Sequence, residues 1–354
     1  MLHLRGAIQH YAWGDRFALP ELLEVTADSR PWAEIWFGTH PRGQAQVDDS
    51  LYHPAPTYLV DEVGDLPFIV KLLAAAEPLS LQTHPSAQQA AAGYAREEAA
   101  GVPRDAAHRV YADSRAKPEM IVALSIFEAL CGFVDAETAL HACAAAGASR
   151  LADHVQRNGV AASANAILRG ERFDDVATPS AAMTQLTEHY HDPRAIIALL
   201  MHHVRLQPGE ALYLDAGNVH TYLYGTALEV QGASDNVMRA AFTEKHVDLE
   251  AFFAVANLSP IADPRVAPTL VDGGSGATTS GTPWKSYAYR CGAPFSVMRH
   301  DINGAFTMQP STQHTMLVCT SGRAGSLRRG GVVYVPAGET VSLDGTATIF
   351  SVSQ

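Results

Sequence analysis

Cysteine is scarce in this chain of 354 residues: four, at Cys131, Cys143, Cys291 and Cys319, with no C-x-x-C spacing. That excludes a disulfide-stapled scaffold and a thiolate zinc site, and it predicts reduced thiols and a cytoplasmic address. There is no uncharged apolar run of the roughly eighteen residues that a membrane helix needs. The opening Met1-Leu2-His3-Leu4-Arg5-Gly6 lacks the apolar stretch and small-residue cleavage site of a secretory leader. Basic residues are also in deficit, 25 Lys and Arg against 37 Asp and Glu, for a net charge of −12. A nucleic-acid partner is therefore not expected, because phosphate backbones bind basic surfaces. A small anion is still possible where a few cations gather in one pocket. With 47% hydrophobic and 18% charged residues, the composition is that of a globular chain, not of a disordered or coiled-coil one. Sixteen histidines leave metal coordination open.

What is present falls into three regimes. Residues 1 to about 82 carry aromatics, Pro, Gly and short apolar runs such as Pro67-Phe68-Ile69-Val70-Lys71-Leu72-Leu73, which read as strands between turns. Ser86 to Arg109 is Ala-, Gln- and Glu-rich and reads as helix, and Pro118 to Leu124 as a strand. The stretch 129–203 is helical again, and from Leu206 onward the pattern returns to short β segments, with a flexible connector at Val271–Gly281. The expected class is α+β, mainly β. A β domain over 1–128 continues at 204–257, a helical insertion fills 129–203, and a second β domain without metal ligands covers 258–354. A weak repeat supports two β units: Gly209 to His220 resembles Gly330 to Val341, each reading as strand, Ala-Gly turn and strand, as in an antiparallel barrel or jelly roll.

Four segments carry donors. In Ser80-Leu81-Gln82-Thr83-His84-Pro85, Gln82 and His84 lie two apart on a strand and face the same way. Lys117-Pro118-Glu119-Met120 places a carboxylate at the mouth of an apolar strand. Gly217-Asn218-Val219-His220 opens another strand with a histidine. Glu229 to Arg239 packs Glu229, Asp235 and Arg239 around a Gly-Ala-Ser-Asp-Asn loop. Each also has a plainer reading: a polar strand end, a solvated strand start, a core histidine, an Asp235–Arg239 salt bridge. Together, Gln82, His84, Glu119 and His220 would make a shell of two nitrogens and two oxygens, which suits zinc and also manganese or iron.

In this order and context the segments resemble the type I phosphomannose isomerases. Tyr11-Ala12-Trp13-Gly14, Glu34 to Pro41, Leu66 to Lys71, Gln82-Thr83-His84-Pro85, Lys117-Pro118-Glu119-Met120, Ser234 to Arg239 and Phe242 to Asp248 all match, so the likeness spans the chain. The resemblance implies two cupin-type jelly rolls, one zinc per chain, and interconversion of mannose 6-phosphate and fructose 6-phosphate through a cis-enediolate. It implies Gln82, His84, Glu119 and His220 as the zinc ligands. Lys117, Glu229, Asp235 and Arg239 match catalytic positions, with Lys71 and Ser80 toward the substrate. Lys117, Glu229 and Asp235 are the candidate bases. Two positions depart from the family pattern: the usual histidine before the lysine is Ala116, and the usual Thr-Pro-Lys is Thr243-Glu244-Lys245. Ala116 keeps open an isomerase of an unphosphorylated aldose such as mannose. A non-catalytic, carbohydrate-binding cupin is the reading from another class.

Overall fold

The apolar run around Phe68 is a strand buried along all eight of its residues, covered on both faces. It belongs to a computed structural model that describes residues 1–48, 57–273 and 284–354. The site-bearing half contains β1 (Glu34–Phe37), β2 (Phe68–Ala75), β3 (Leu81–Thr83), β4 (Glu119–Ala123) and β5 (Phe127–Phe133). After the helices come β6 (Met201–Leu206), β7 (Ala211–Leu214), β8 (His220–Gly232) and β9 (Met238–Ala241). All ladders among these strands are antiparallel, as the alternating short strands and Gly or Asn turns imply.

The long strand β8 organises this half. Its C-terminal part, Gly225–Gly232, pairs with β2 on one side and β4 on the other. Its N-terminal part pairs with β5, and His220 also with Gln82 of β3. Between the two parts the register shifts, at Tyr222–Tyr224, and Gly225 takes φ +118. A Cβ on Gly225 would stand 2.4 Å from the Ile126 carbonyl oxygen, so only glycine fits. The extra residue has a further effect. Tyr222 and Glu229 are seven apart and in an unbroken strand would face opposite sides. The bulge restores them to one side, where the Tyr222 hydroxyl lies 3.2 Å from Glu229 Oε1.

Three apolar clusters hold the half together. Leu73, Ile121, Phe127, Leu212, Leu214 and Tyr222 fill the barrel beneath the candidate site. The opposite face of the same strands, including Leu72, Met120, Leu228 and Val230, packs on Val297, Met316 and Phe350 of the C-terminal sheet. Leu130, Phe133, Val219 and Leu223 pack on the helices. Each fully buried side chain of this size contributes about 1.5–3 kcal/mol, so the site rests on a floor made rigid from three directions.

The longer helices are α1 (Ala87–Ala99), α2 (Ala136–Ala146), α3 (Ser149–Leu168), α4 (Ala181–Tyr190) and α5 (Leu249–Val255), with short helices at Ala18–Leu22 and Leu59–Val63 and a 3₁₀ segment at Pro193–Leu200. Several differ from the sequence expectation. The helix expected over Ser86–Arg109 is capped by Ser86 and stops at Ala99, with Gly101 in the left-handed region and Pro103 beyond it. Residues 129–133 are strand, because Ala129 and Leu130 pair with β6 and β8; helix begins only at Ala136, capped by Asp135. Helix α5 was not expected; Asp248 caps it. Strand Leu2–Arg5 pairs with Val332–Val335 of the C-terminal sheet, a long-range pairing that local pattern does not announce.

The weak repeat appears as two units of the same proportions. β7 and β8 have 4 and 13 residues, as do Val332–Val335 and Val341–Ser353, with Gly217 at φ +79 and Gly338 at φ +81 in the two turns. The expected connector at Val271–Gly281 begins as strand through Gly273; its remainder, 274–281, lies outside the described residues.

Replacing Gly225 by alanine should cost about 1–3 kcal/mol through backbone strain alone. Thermal unfolding should move down by several degrees; an unchanged transition would contradict the bulge assignment.

Candidate metal centre and the cleft above it

Strand register delivers the donors to one point. Gln82 sits opposite both His220 and Arg239, Glu119 opposite Leu214 and Gln231, and His84 follows directly on β3. The facing atoms of His84, Glu119 and His220 lie within 4.8 Å of one another, and all three residues are buried. His84 Nε2 is 3.4 Å from Glu119 Oε1 and His220 Nε2 is 3.5 Å from Glu119 Oε2. Gln82 Nε2 is 3.4 Å from His220 Nε2. Ligands about 2.05 Å from a tetrahedral ion are about 3.3–3.4 Å apart, so these separations suit one ion.

The imidazoles are oriented for that role. His84 Nδ1 donates to the Asn236 carbonyl at 2.6 Å and His220 Nδ1 to the Asn218 carbonyl at 3.1 Å. A carbonyl only accepts, so the proton is on Nδ1 and the Nε2 lone pair faces inward. His84 Nε2 is buried and makes no hydrogen bond, an orphaned acceptor that a cation would satisfy. Burial, and then the Lys117 cation, hold His84 below its ordinary pKa against the pull of Glu119. Burial pushes His220 down to about 4. Burial alone would raise Glu119, but Lys117 and His84 outweigh it and hold its carboxyl well below the usual range. Two neutral imidazoles and a carboxylate are the protonation states metal binding needs. Gln82 presents its amide nitrogen to His220, while Ser80 donates to its Oε1 at 3.1 Å. An oxygen ligand from Gln82 needs the amide turned over, an exchange of two atoms of nearly equal size.

A buried polar chain continues from the donors. Lys117 Nζ is 2.7 Å from Glu119 Oε1. The Tyr222 hydroxyl is 3.2 Å from Glu119 Oε2 and 3.2 Å from Glu229 Oε1. Glu229 Oε2 is 2.9 Å from Lys71 Nζ, which is 3.4 Å from Glu34. Trp36 Nε1 donates to Glu34 at 2.7 Å, and its ring lies 4.7 Å from Lys71 Nζ. Burial first, then Glu119 and Glu34 against the pull of Lys71, raise the Glu229 pKa. Burial works against the Lys71 charge, but Glu229, Glu34 and Glu119 raise its pKa.

An open cleft of about 350 Å³ lies over these groups, walled by Trp36, Lys71, Ser80, Gln82, Lys117, Asp235 and Arg239, with His189 and Tyr190 of α4 on one side. Glu229 is not on its wall; it backs Lys71 from behind. Asp235 is on the wall, but its carboxylate pairs with Arg42 at 3.1 Å and His40 at 3.5 Å, so the Asp235–Arg239 bridge does not form. Lys71, Lys117 and Arg42 thus all have carboxylate partners. Arg239 and Lys245, also on the wall, have none among the described residues. Burial, then Arg42, lowers the Arg239 pKa; burial, then Arg239, lowers that of Lys245. A neighbouring hollow of about 400 Å³ shares these two cations but contains none of the metal-facing groups.

Arg42, Glu34, Tyr222 and Asn236 were not singled out from the sequence. Arg42 sits beside the matched Glu34–Pro41 block, and Tyr222 is two residues from His220, a spacing that was available as a signal. Asn236 anchors residues 112–115 through its side-chain amide while its carbonyl holds His84; nothing local in the sequence indicates that.

The family described as phosphomannose isomerase type I, catalytic domain, matches residues 1–136, which contain Gln82, His84 and Glu119. The mannose-6-phosphate isomerase of Escherichia coli K12 is 36% identical over 299 residues, 75% of this chain and 76% of that protein. A crystal structure of a phosphomannose isomerase variant from Salmonella typhimurium superposes with a TM-score of 0.84 at 27% identity, covering 100% of this chain and 99% of that one. A zinc-bound mannose 6-phosphate isomerase structure gives 0.81 at 28%, with the same coverage.

Glu119→Gln should weaken zinc binding by more than about 100-fold in a competition titration, since it removes the site's only carboxylate donor. Zinc affinity should be flat from pH 7 through the region near 6.5 where an ordinary histidine titrates. It should fall only toward about 4, where His220 takes a proton. A decline centred near 6.5 would contradict the buried, neutral imidazole.

Proposed function

The chain belongs to the type I phosphomannose isomerase family, and from that premise we propose a zinc-dependent isomerase that interconverts mannose 6-phosphate and fructose 6-phosphate. The observation that carries the reading is the pairing of one metal-facing cluster with two cations in the same cleft, Arg239 and Lys245, that have no carboxylate partner among the described residues. Gln82, His84, Glu119 and His220 are the proposed ligands of one zinc ion. Bound there, zinc supplies Lewis-acid stabilisation of oxygen charge beside C1 and C2. Four unpaired cysteines fit a reducing, cytoplasmic setting.

The reaction moves one carbon-bound proton, from C2 to C1, and one hydroxyl proton, from O2 to O1. A base takes the C2 hydrogen of open-chain mannose 6-phosphate, the electron pair becomes the C1–C2 double bond of a cis-enediolate, and the proton returns at C1. A base on the cleft wall can reach those carbons. Lys117 and Asp235 qualify by position; Glu229 does not, and its role is to neutralise Lys71. Asp235 is occupied by Arg42 and His40. Lys117 is buried on the cleft wall with its Nζ 2.7 Å from Glu119 Oε1, and no other acid among the described residues holds it. We assign the proton transfer to Lys117, with Asp235 held in place as an acceptor for sugar hydroxyls.

The phosphate goes to the charge that is free. Arg239, half-buried, and Lys245, at the exposed mouth, can engage it together, the former through its fixed fork of donors. Ser80 and Lys71 complete the wall toward the sugar. An isomerase of free mannose, which Ala116 keeps in view, would gain nothing from two uncompensated cations.

Lys245→Ala should raise KM for mannose 6-phosphate by roughly 10-fold or more, the range of one charge-assisted contact, with kcat changed much less. Comparing zinc-reconstituted protein on mannose 6-phosphate and on free mannose tests the substrate class. Preferred turnover of free mannose, unaffected by Lys245→Ala, would overturn the phosphate assignment.

A further inference from the structure

The Tyr222 hydroxyl occupies an unusual place. It lies between the metal-facing carboxylate of Glu119 and the buried Glu229–Lys71 pair, 3.2 Å from an oxygen of each acid. The side chain is 2% exposed, its ring packs edge-on against Phe127 at 5.3 Å and lies 5.7 Å from the His220 ring. No water-facing alternative exists for an O–H buried this deeply, so its single hydrogen must go to one carboxylate or be divided between the two. Two carboxylates facing each other across a buried gap repel strongly where the effective dielectric is low. A donor between them offsets that repulsion and fixes where each oxygen points.

We propose that Tyr222 is a positioning residue of the metal centre: its one O–H, shared between Glu119 and Glu229, sets the direction of the metal-facing carboxylate and ties it to the Lys71 ion pair. The proposal rests on the zinc reading above. Lys117 holds the other oxygen of Glu119, at 2.7 Å, so the carboxylate is gripped from both sides, and only the inner grip depends on Tyr222. The bulge before Gly225 makes this possible, because it alone brings a tyrosine and a glutamate seven residues apart to one face. A phenylalanine would keep the packing against Phe127 and delete the grip.

The test compares Tyr222→Phe, Glu229→Gln and the double variant with the unsubstituted chain, using zinc affinity from chelator competition and the d–d spectrum of the cobalt(II) form. Tyr289→Phe is the control, since it also deletes a buried hydroxyl, one that donates to the Gly209 carbonyl. Tyr222→Phe should weaken zinc binding about 10- to 100-fold, the usual cost of removing a group that orients a ligand. The control should not. Both single variants should shift the cobalt bands, and the double variant should depart at least about 2-fold from the product of the single losses, as linked groups do. Unchanged zinc affinity in a folded Tyr222→Phe protein, or strict multiplicativity, overturns the positioning role while the metal centre stands. Failure of the unsubstituted chain to bind zinc overturns the zinc reading, and this proposal with it.

Discussion

The Glu119 carboxylate is the charge around which the site is built. It is 1% exposed, and burying an ionised acid costs several kcal/mol unless partners compensate. Lys117, His84, His220 and Tyr222 each approach it to between 2.7 and 3.5 Å. Three of those four partners are in turn held from behind: His84 by Asn236, His220 by Asn218, and Tyr222 by Glu229, which itself pairs with Lys71. A cation enters an arrangement whose negative charge and lone pairs are already turned inward. The cost of orienting donors is met in folding, by the three apolar clusters under and around the barrel.

Much of this site was legible from the residues. The period-2 spacing of Gln82 and His84 places both at the centre. Glu119 at the mouth of an apolar strand and His220 just past a glycine turn lie beside them. The strand–turn–strand repeat appears as two units of equal length, with a histidine in one and Val341 in the other. What was not legible depends on departures from regularity. Strict alternation along His220–Gly232 puts Glu229 and His220 on opposite faces, and only the bulge at Leu223–Gly225 reverses this. The Asp235–Arg239 bridge was a reasonable local guess, but the acid lies nearer Arg42, which arrives from nearly two hundred residues away in sequence.

The charge pattern of the cleft follows from the same topology. Lys71 lies on β2 opposite Glu229, and Lys117 lies just before β4 beside Glu119, so their charges are spent within the barrel. Arg239 lies on β9, past the last acid of the loop, and Lys245 lies beyond the end of that strand. A chain of net charge −12 thus presents at one place two cations without a carboxylate partner among the described residues. For a phosphorylated sugar, that local excess matters more than the overall sign.

The central proposal is one zinc ion held by His84, Glu119 and His220, with Gln82 as a further donor beside them. X-ray absorption at the zinc edge of the metal-reconstituted chain tests this most directly. The account predicts one zinc per chain, a first shell of nitrogen and oxygen only at about 2.0–2.1 Å, and the outer-shell signature of two imidazoles. A sulfur scatterer at about 2.3 Å, or a shell with no imidazole signature, would contradict it.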